Sequence, residues 1–247
     1  GDGVNDAPAL RAADIGCAMG KGGTDVARAA ADMVLTDDNF STIVSAVREG
    51  RGIYSNIRKT IHFLLSCNIG EILLVLAAFL LNLPTPLLAI QLLWVNLVTD
   101  SLPALALGAE PAEKDVMHRK PAPRDSGVVS GGLGASIVVE GCLIGALALL
   151  AYTIGRVFFD GPAQAPQVGR TMAFAVLSLS QVAHAFNMRS EHSLFSIGFF
   201  SNPKLNLASA VCILLQVSVI AIPAAAALFR AVPLTGAQWA ITASLSL

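Results

Sequence analysis

The chain has 247 residues, of which 54% are hydrophobic and 13% charged, with a formal net charge of -1 and a mean hydropathy of +0.66. A soluble domain carries about 25% charged residues, so this composition excludes an ordinary soluble protein and describes an integral membrane chain. There is no basic surplus to bind phosphate backbones, which excludes nucleic acid as a partner. The four cysteines, Cys17, Cys67, Cys142 and Cys212, form no CxxC and no loop pair, so neither a disulfide nor a thiolate metal site is expected.

The first 45 residues read as soluble and alternate between short helices and short strands. Ala7–Ala13 and Thr24–Ala31 have helical patterns, while Ile15–Met19 and Met33–Thr36 have strand patterns. So few residues cannot bury a core alone, which predicts the edge of an α/β sheet whose other strands lie outside this sequence. Gly1-Asp2-Gly3, with no initiator methionine and no signal sequence, points to a start in mid-domain. Asn39 or Ser41 can cap a helix running through Val47, Arg48 and Arg51 toward Arg58 and Lys59. This helix reads as a stalk entering a membrane.

Apolar spans follow at Thr60–Leu81, Leu87–Leu107, Leu133–Gly155, Thr171–Met188 and Leu207–Phe229, each close to the roughly 20 residues that cross a bilayer core. A sixth apolar segment starts near Gln238 and stops at Leu247, as a clipped span or an interfacial helix. Gly70 and Pro103 fall inside spans, where they are expected to break regular backbone bonding and free carbonyls toward a cavity. With the stalk cytosolic, that side receives Arg48, Arg51, Arg58, Lys59, Lys114, Arg119, Lys120, Arg124, Arg189 and Lys204. The opposite side receives Arg156, Arg170 and Arg230. The asymmetry satisfies the positive-inside rule and places the head and the loop Gly108–Gly132 in the cytosol. That loop, with Pro111, Pro121 and Pro123, reads as a stiff spacer.

Two spans carry oxygen ligands. Asn68 and Glu71 stand at i, i+3 in one, and Asn96, Thr99 and Asp100 at i, i+3 and i+4 in the next, so each set shares a helix face. Asn or Thr alone would serve as interhelical hydrogen-bonding groups. A carboxylate in hydrocarbon costs several kcal/mol by typical estimates, so two of them turn the reading toward an ion pathway. Two carboxylates, two amide carbonyls and a hydroxyl, with no basic side chain, suit a hard cation such as calcium. Glu140 is a further intramembrane carboxylate, read either as helix packing or snorkelling, or as part of proton or ion movement. Ser178, Gln181, His184 and Asn187 recur at near-helical spacing in the fourth span, as bundle lining or as interhelical bonding.

In the head, Asp-Gly and Asn-Asp are ordinary turn pairs. A carboxylate on a Gly-flanked turn leading into a helix also suits Mg²⁺ held beside a phosphoryl group, since that ion takes one or two carboxylates plus phosphate oxygens. Gly1-Asp2-Gly3-Val4-Asn5-Asp6-Ala7-Pro8-Ala9-Leu10 resembles the phosphorylation-domain signature of P-type cation ATPases. The likeness continues through Ala13-Asp14-Ile15-Gly16, Gly22-Gly23-Thr24-Asp25-Val26-Ala27 and Asp32–Phe40. Asn68-Ile69-Gly70-Glu71 and Gln91–Asp100 resemble the fifth and sixth membrane helices of the calcium pumps. The match is most specific over the first hundred residues and rests mainly on hydropathy and loop length thereafter.

The resemblance implies a mostly α fold: a polytopic helical membrane bundle preceded by a partial α/β, haloacid-dehalogenase-like phosphorylation segment. The implied division is residues 1–45 for that segment, 46–59 for the stalk and 60–247 for the membrane domain. It implies that Asp2 is a Mg²⁺ ligand and that Asn5 and Asp6 organise the phosphorylated site. Asn68, Glu71, Asn96, Thr99 and Asp100 become Ca²⁺ ligands, with Gln181 a further candidate. No Asp-Lys-Thr-Gly occurs here, so the aspartyl nucleophile, the ATP-binding domain and the first four membrane helices belong to a missing N-terminal part, and the chain alone is expected to be inactive. Sodium/potassium pumps carry an acidic residue in place of Asn96, and proton pumps lack the Asn68–Glu71 pair, which favours calcium. Manganese or sodium transport, or a non-enzymatic membrane domain, are the alternatives. Where two-ion calcium pumps have a glutamate in their eighth membrane helix, this chain has Gln181.

Overall fold

A computed structural model describes residues 1–113, 115–121, 127–161, 165–190 and 193–247. Lys114, Pro123 and Arg124 of the expected cytosolic loop lie outside the described residues. The chain divides into two compact units, one of residues 1–54 with 112–119 and the other of residues 55–111 with 120–247.

In the first unit a 3-10 turn, Val4–Asp6, leads into α1 (Ala7–Ala12), where Pro8 occupies a first-turn position that needs no amide donor. Strands β1 (Cys17–Met19) and β2 (Met33–Leu35) pair in parallel, with Ala18 opposite Val34. They are joined through α2 (Asp25–Ala30), which Thr24 caps by accepting the Ala27 amide at 3.3 Å. Leu10, Ala18 and Ala27 form a small core. All four expected elements are present, each shorter than its sequence pattern. Arg51 donates to the Val116 and Arg119 carbonyls at 3.0 and 2.9 Å.

Helix α3 runs unbroken from Ser41 to Leu80, and Asn39 Oδ1 accepts the Ser41 amide at its start. The expected stalk and first span are therefore one 40-residue helix, about 60 Å long at 1.5 Å per residue. Gly70 does not interrupt it. A Cβ there would come within 2.9 Å of Ile144 Cγ2, and one on Gly141 within 2.6 Å of Ile69 Cγ2. The two glycines instead let α3 approach α6 (Leu133–Phe158) closely.

The second span does carry a break. Helices α4 (Ala89–Trp94) and α5 (Ser101–Gly108) are joined by a π turn, Val95–Thr99, in which the Asp100 amide reaches back five residues to the Val95 carbonyl at 2.9 Å. Pro103, lacking an N–H, cannot bond the Thr99 carbonyl one turn above it.

The remaining elements are α7 (Gln167–Asn187), α8 (Leu194–Ile197), α9 (Pro203–Ala221), α10 (Pro223–Phe229) and α11 (Gly236–Ser246). The expected single span Leu207–Phe229 is cut in two because Pro223 holds Ile222 in an extended conformation (ψ 117°). Among the described residues, four helices are long and apolar enough to cross a membrane: Ser41–Leu80, Ala89–Gly108, Leu133–Phe158 and Pro203–Ala221. Helix α7 is not among them, which departs from the expectation for Thr171–Met188. It packs against α6, α9 and α11, with fourteen of its 21 residues buried, so its polar positions face neighbouring helices and lower its hydropathy. Phe79, Leu80, Leu93, Leu97, Leu105, Val139 and Leu143 point out of the bundle, as lipid-facing residues should.

Candidate cation site and head loop

The head loop is built around Asp6. Its Oδ2 accepts the backbone amides of Asp2 at 2.8 Å and Gly3 at 3.0 Å, closing the turn on itself. The Gly3 amide, and then that of Asp2, hold the Asp6 carboxyl below the usual carboxylate range. Asp2 is exposed, and its carbonyl accepts the Thr24 amide at 2.8 Å. Asn5 is exposed beside it. One carboxylate presented on a pinned, Gly-flanked turn fits a Mg²⁺ that completes its shell with phosphate and water.

In the membrane unit, Glu71 of α3 is 6% exposed. Asn96 Nδ2 of the π turn donates to its Oε2 at 2.7 Å, and Gln181 Nε2 of α7 to its Oε1 at 3.3 Å. Three elements thus meet on one carboxylate. Asp100, at the head of α5, is 1% exposed, and neither of its carboxylate oxygens has a hydrogen-bond partner. It sits in the electrostatic field of Glu71. Gln181 Oε1 and Ser178 Oγ are likewise buried and unpartnered. Thr99 is buried, but its hydroxyl donates to the Val95 carbonyl left in the π turn. Asn68 turns its amide to the Leu64 carbonyl on its own helix, so it makes no hydrogen bond to Glu71 or Asn96. Asn187, unlike Ser178, Gln181 and His184, is exposed.

The described residues contain no cluster of three or more His, Cys, Asp or Glu side chains fit to hold a metal. A cation at Glu71 and Asp100 must therefore draw further ligands from amide, hydroxyl and backbone oxygens, as hard cations do. Glu71 also borders an open groove of about 510 Å³ whose other walls are Ile72, Val75, Leu76, Phe79 and Leu92.

Sequence reasoning did not identify His62. It lies 2.5 Å from Glu140 of α6, in a cluster that also takes in His184 and Ser66. The signal was in the glycines: Gly70 and Gly141 mark where α3 meets α6, His62 and Ser66 precede Gly70 at four-residue steps, and Glu140 adjoins Gly141. Arg189, counted as a cytosolic charge, is a fully buried side chain paired with Glu110.

A family model described as cation transporting ATPase, C-terminus, matches residues 84–247. Among curated relatives, a calcium-transporting ATPase of Bacillus subtilis is 50% identical, over all of this chain and 27% of its own length. Calcium-transporting ATPase 1 of Bacillus cereus is 48% identical, over all of this chain and 29% of its own. The endoplasmic reticulum calcium ATPase srcA of Aspergillus fumigatus is 40% identical, again over all of this chain and 28% of its own. The chain spans a little over a quarter of the length of these relatives. With its apolar helices and this match, it is an integral, multi-pass membrane protein that belongs to the P-type cation-transporting ATPase family, corresponding to the family's C-terminal region.

Proposed function

We propose that this chain supplies the cation-binding part of an ATP-driven calcium pump that works through an aspartyl-phosphate cycle. The observation that carries the reading is Asp100: an almost fully buried carboxylate with two unpartnered oxygens, beside a second buried carboxylate and, among the described residues, with no basic side chain bonded to either. Such a group is costly unless neutralised or satisfied by a positive charge. A divalent cation taken as cargo does both. Calcium is the cargo named for the relatives, and an oxygen-only donor set agrees with it.

Glu71 and Asp100 would carry the charge, while Asn96, Thr99 and Gln181 shape the opening and lend neutral oxygens. Asn68 would join by turning away from Leu64. The open apolar groove beside Glu71 is a seat for a helix from the remaining part of the pump. In the head, Asp2 would hold Mg²⁺ and Asn5 and Asp6 would fix the turn; the metal, when bound, neutralises phosphoryl oxygens. The two-state arrangement that couples them is one in which phosphorylation near Asp2 changes affinity at Glu71 and Asp100.

Calcium-dependent phosphorylation of the full-length protein tests this. Asp100→Asn should abolish it, with Asp100→Glu retaining part. Phosphorylation of Asp100→Asn at the wild-type calcium concentration would overturn the assignment. Stimulation by manganese or sodium but not by calcium would transfer the site to those ions.

A further inference from the structure

We propose that His62, Glu140, His184 and Ser66 form a proton-binding site separate from the oxygens around Glu71 and Asp100. His62 Nε2 and Glu140 Oε2 are 2.5 Å apart, within ion-pair distance, and both atoms are buried with no hydrogen-bond partner. The same carboxylate oxygen lies 3.6 Å from His184 Nε2. His184 Nε2 is 2.8 Å from Ser66 Oγ, which also lies 2.9 Å from the carbonyls of both His62 and Phe63. The His184 ring stacks on Phe63 and meets His62 edge-on, with centroids 6.0 and 6.4 Å apart. Helices α3, α6 and α7 thus converge on one carboxylate.

Proton accounting gives this arrangement its chemistry. The Ser66 hydroxyl satisfies a backbone carbonyl with its own proton, so it accepts from His184, which places a proton on His184 Nε2. With His62 neutral and Glu140 ionised the cluster would carry one net negative charge. Taking one proton from water makes the cluster neutral, either as imidazolium with carboxylate or as imidazole with carboxylic acid. The facing atoms, His62 Nε2 and Glu140 Oε2, are themselves buried although the Glu140 side chain is partly exposed, and that local desolvation favours the neutral form. No arginine or lysine competes, because the ion pairs of Glu140 among the described residues are with the two imidazoles.

The surrounding elements leave few other groups to account for. On the membrane-unit part of α3 these are Arg58, which is one turn from His62 and donates to the Ser130 carbonyl at 3.0 Å, Lys59, Cys67 and Glu71; on α6, Cys142, Tyr152 and Arg156; on α7, Arg170; on α9, Lys204 and Cys212. Asp100 heads α5, and α11 carries no ionisable side chain. The cluster lies one helical turn from Gln181, so its charge is sensed near the candidate cation site without occupying it.

Nitrogen NMR of histidine-labelled full-length protein in lipid vesicles, without calcium or nucleotide, reads the ionisation directly between about pH 5 and 9. His62→Gln and His184→Gln assign the two resonances. The expected result is a His62 signal that shifts with pH in one step, a step lost in Glu140→Gln and retained in Glu140→Asp. Loss of the carboxyl-carbon shift of Glu140 in His62→Gln gives the reciprocal check, so the outcome does not depend on one variant folding. A His62 signal unchanged by Glu140→Gln, or invariant with pH, would overturn the proposal. Because the spectra need no cargo, failure here is distinct from failure of the calcium assignment.

Discussion

In the proposed membrane site, Asp100 and Gln181 together would decide how much positive charge can be held. Asp100 offers two unpartnered carboxylate oxygens, whereas Gln181 offers a carbonyl oxygen with no formal charge and spends its amide on Glu71. A second divalent ion without a third carboxylate would leave uncompensated charge in a low-dielectric site. The full-length protein is therefore expected to bind one calcium per phosphorylation site at equilibrium, and Gln181→Glu to raise the count toward two; two tightly bound ions in the wild type would refute this. In the head, Asp6 works through the amides it accepts. Asp6→Asn should slow Mg²⁺-dependent phosphorylation by about 10- to 100-fold, the range typical of groups that orient a ligand. Its carboxyl is held low, so the sign is fixed. The loop contribution is fully present above the ordinary carboxylate range and is lost only as pH falls through the lowered value, while Asp6→Asn should show no such acid limb in a phosphorylation–pH profile.

Among the helices, close approach is bought with glycine. Gly70→Ala would push a methyl to 2.9 Å from Ile144 Cγ2 and 3.2 Å from the Gly141 carbonyl, an overpacking that costs about 1–3 kcal/mol. It should lower the thermal midpoint of the detergent-solubilised full-length protein, and Ile144→Ala should partly restore it. These elements also mark what a linear reading can hold. The short strands and helices of the head were legible because apolar alternation and Thr24 punctuate them locally. The shared-face spacing of Asn96, Thr99 and Asp100 presupposed a regular helix, whereas a π turn runs through Val95–Thr99; Asn96 donates to Glu71 while Thr99 bonds back to the Val95 carbonyl. The role of Gly70 was not legible, since a glycine in an apolar run has the same appearance whether it breaks a helix or seats another helix against it. Likewise α7 looked like an ordinary span, and its central position emerges only when its neighbours are packed around it. Asn68, at the right spacing, nonetheless bonds its own helix, because side-chain rotamers are chosen by local carbonyls that a face argument ignores.

At the scale of the membrane unit, one buried ion pair ties distant segments. Arg189 donates to Glu110, to the carbonyls of Gly198 and Phe199 at 3.2 and 3.0 Å and to Ser201 Oγ, while Asn202 donates to Glu110 from the cap of α9. Asn56 of α3 donates to the Glu110 carbonyl at 2.7 Å. Every strand of this knot is satisfied, so removing one end leaves a stranded charge. Arg189→Met is expected to cost about 3–5 kcal/mol, seen as loss of folded full-length protein in membranes, with Arg189→Met/Glu110→Leu recovering much of it. The π turn acts on the same scale by another route. A π turn holds one residue more than the helix around it requires, and at about 100° of rotation per residue that surplus sets the phase of everything beyond it. Deleting Leu97 would keep every proposed ligand in the chain, yet it would turn Asp100 away from Glu71 like a key cut one notch short.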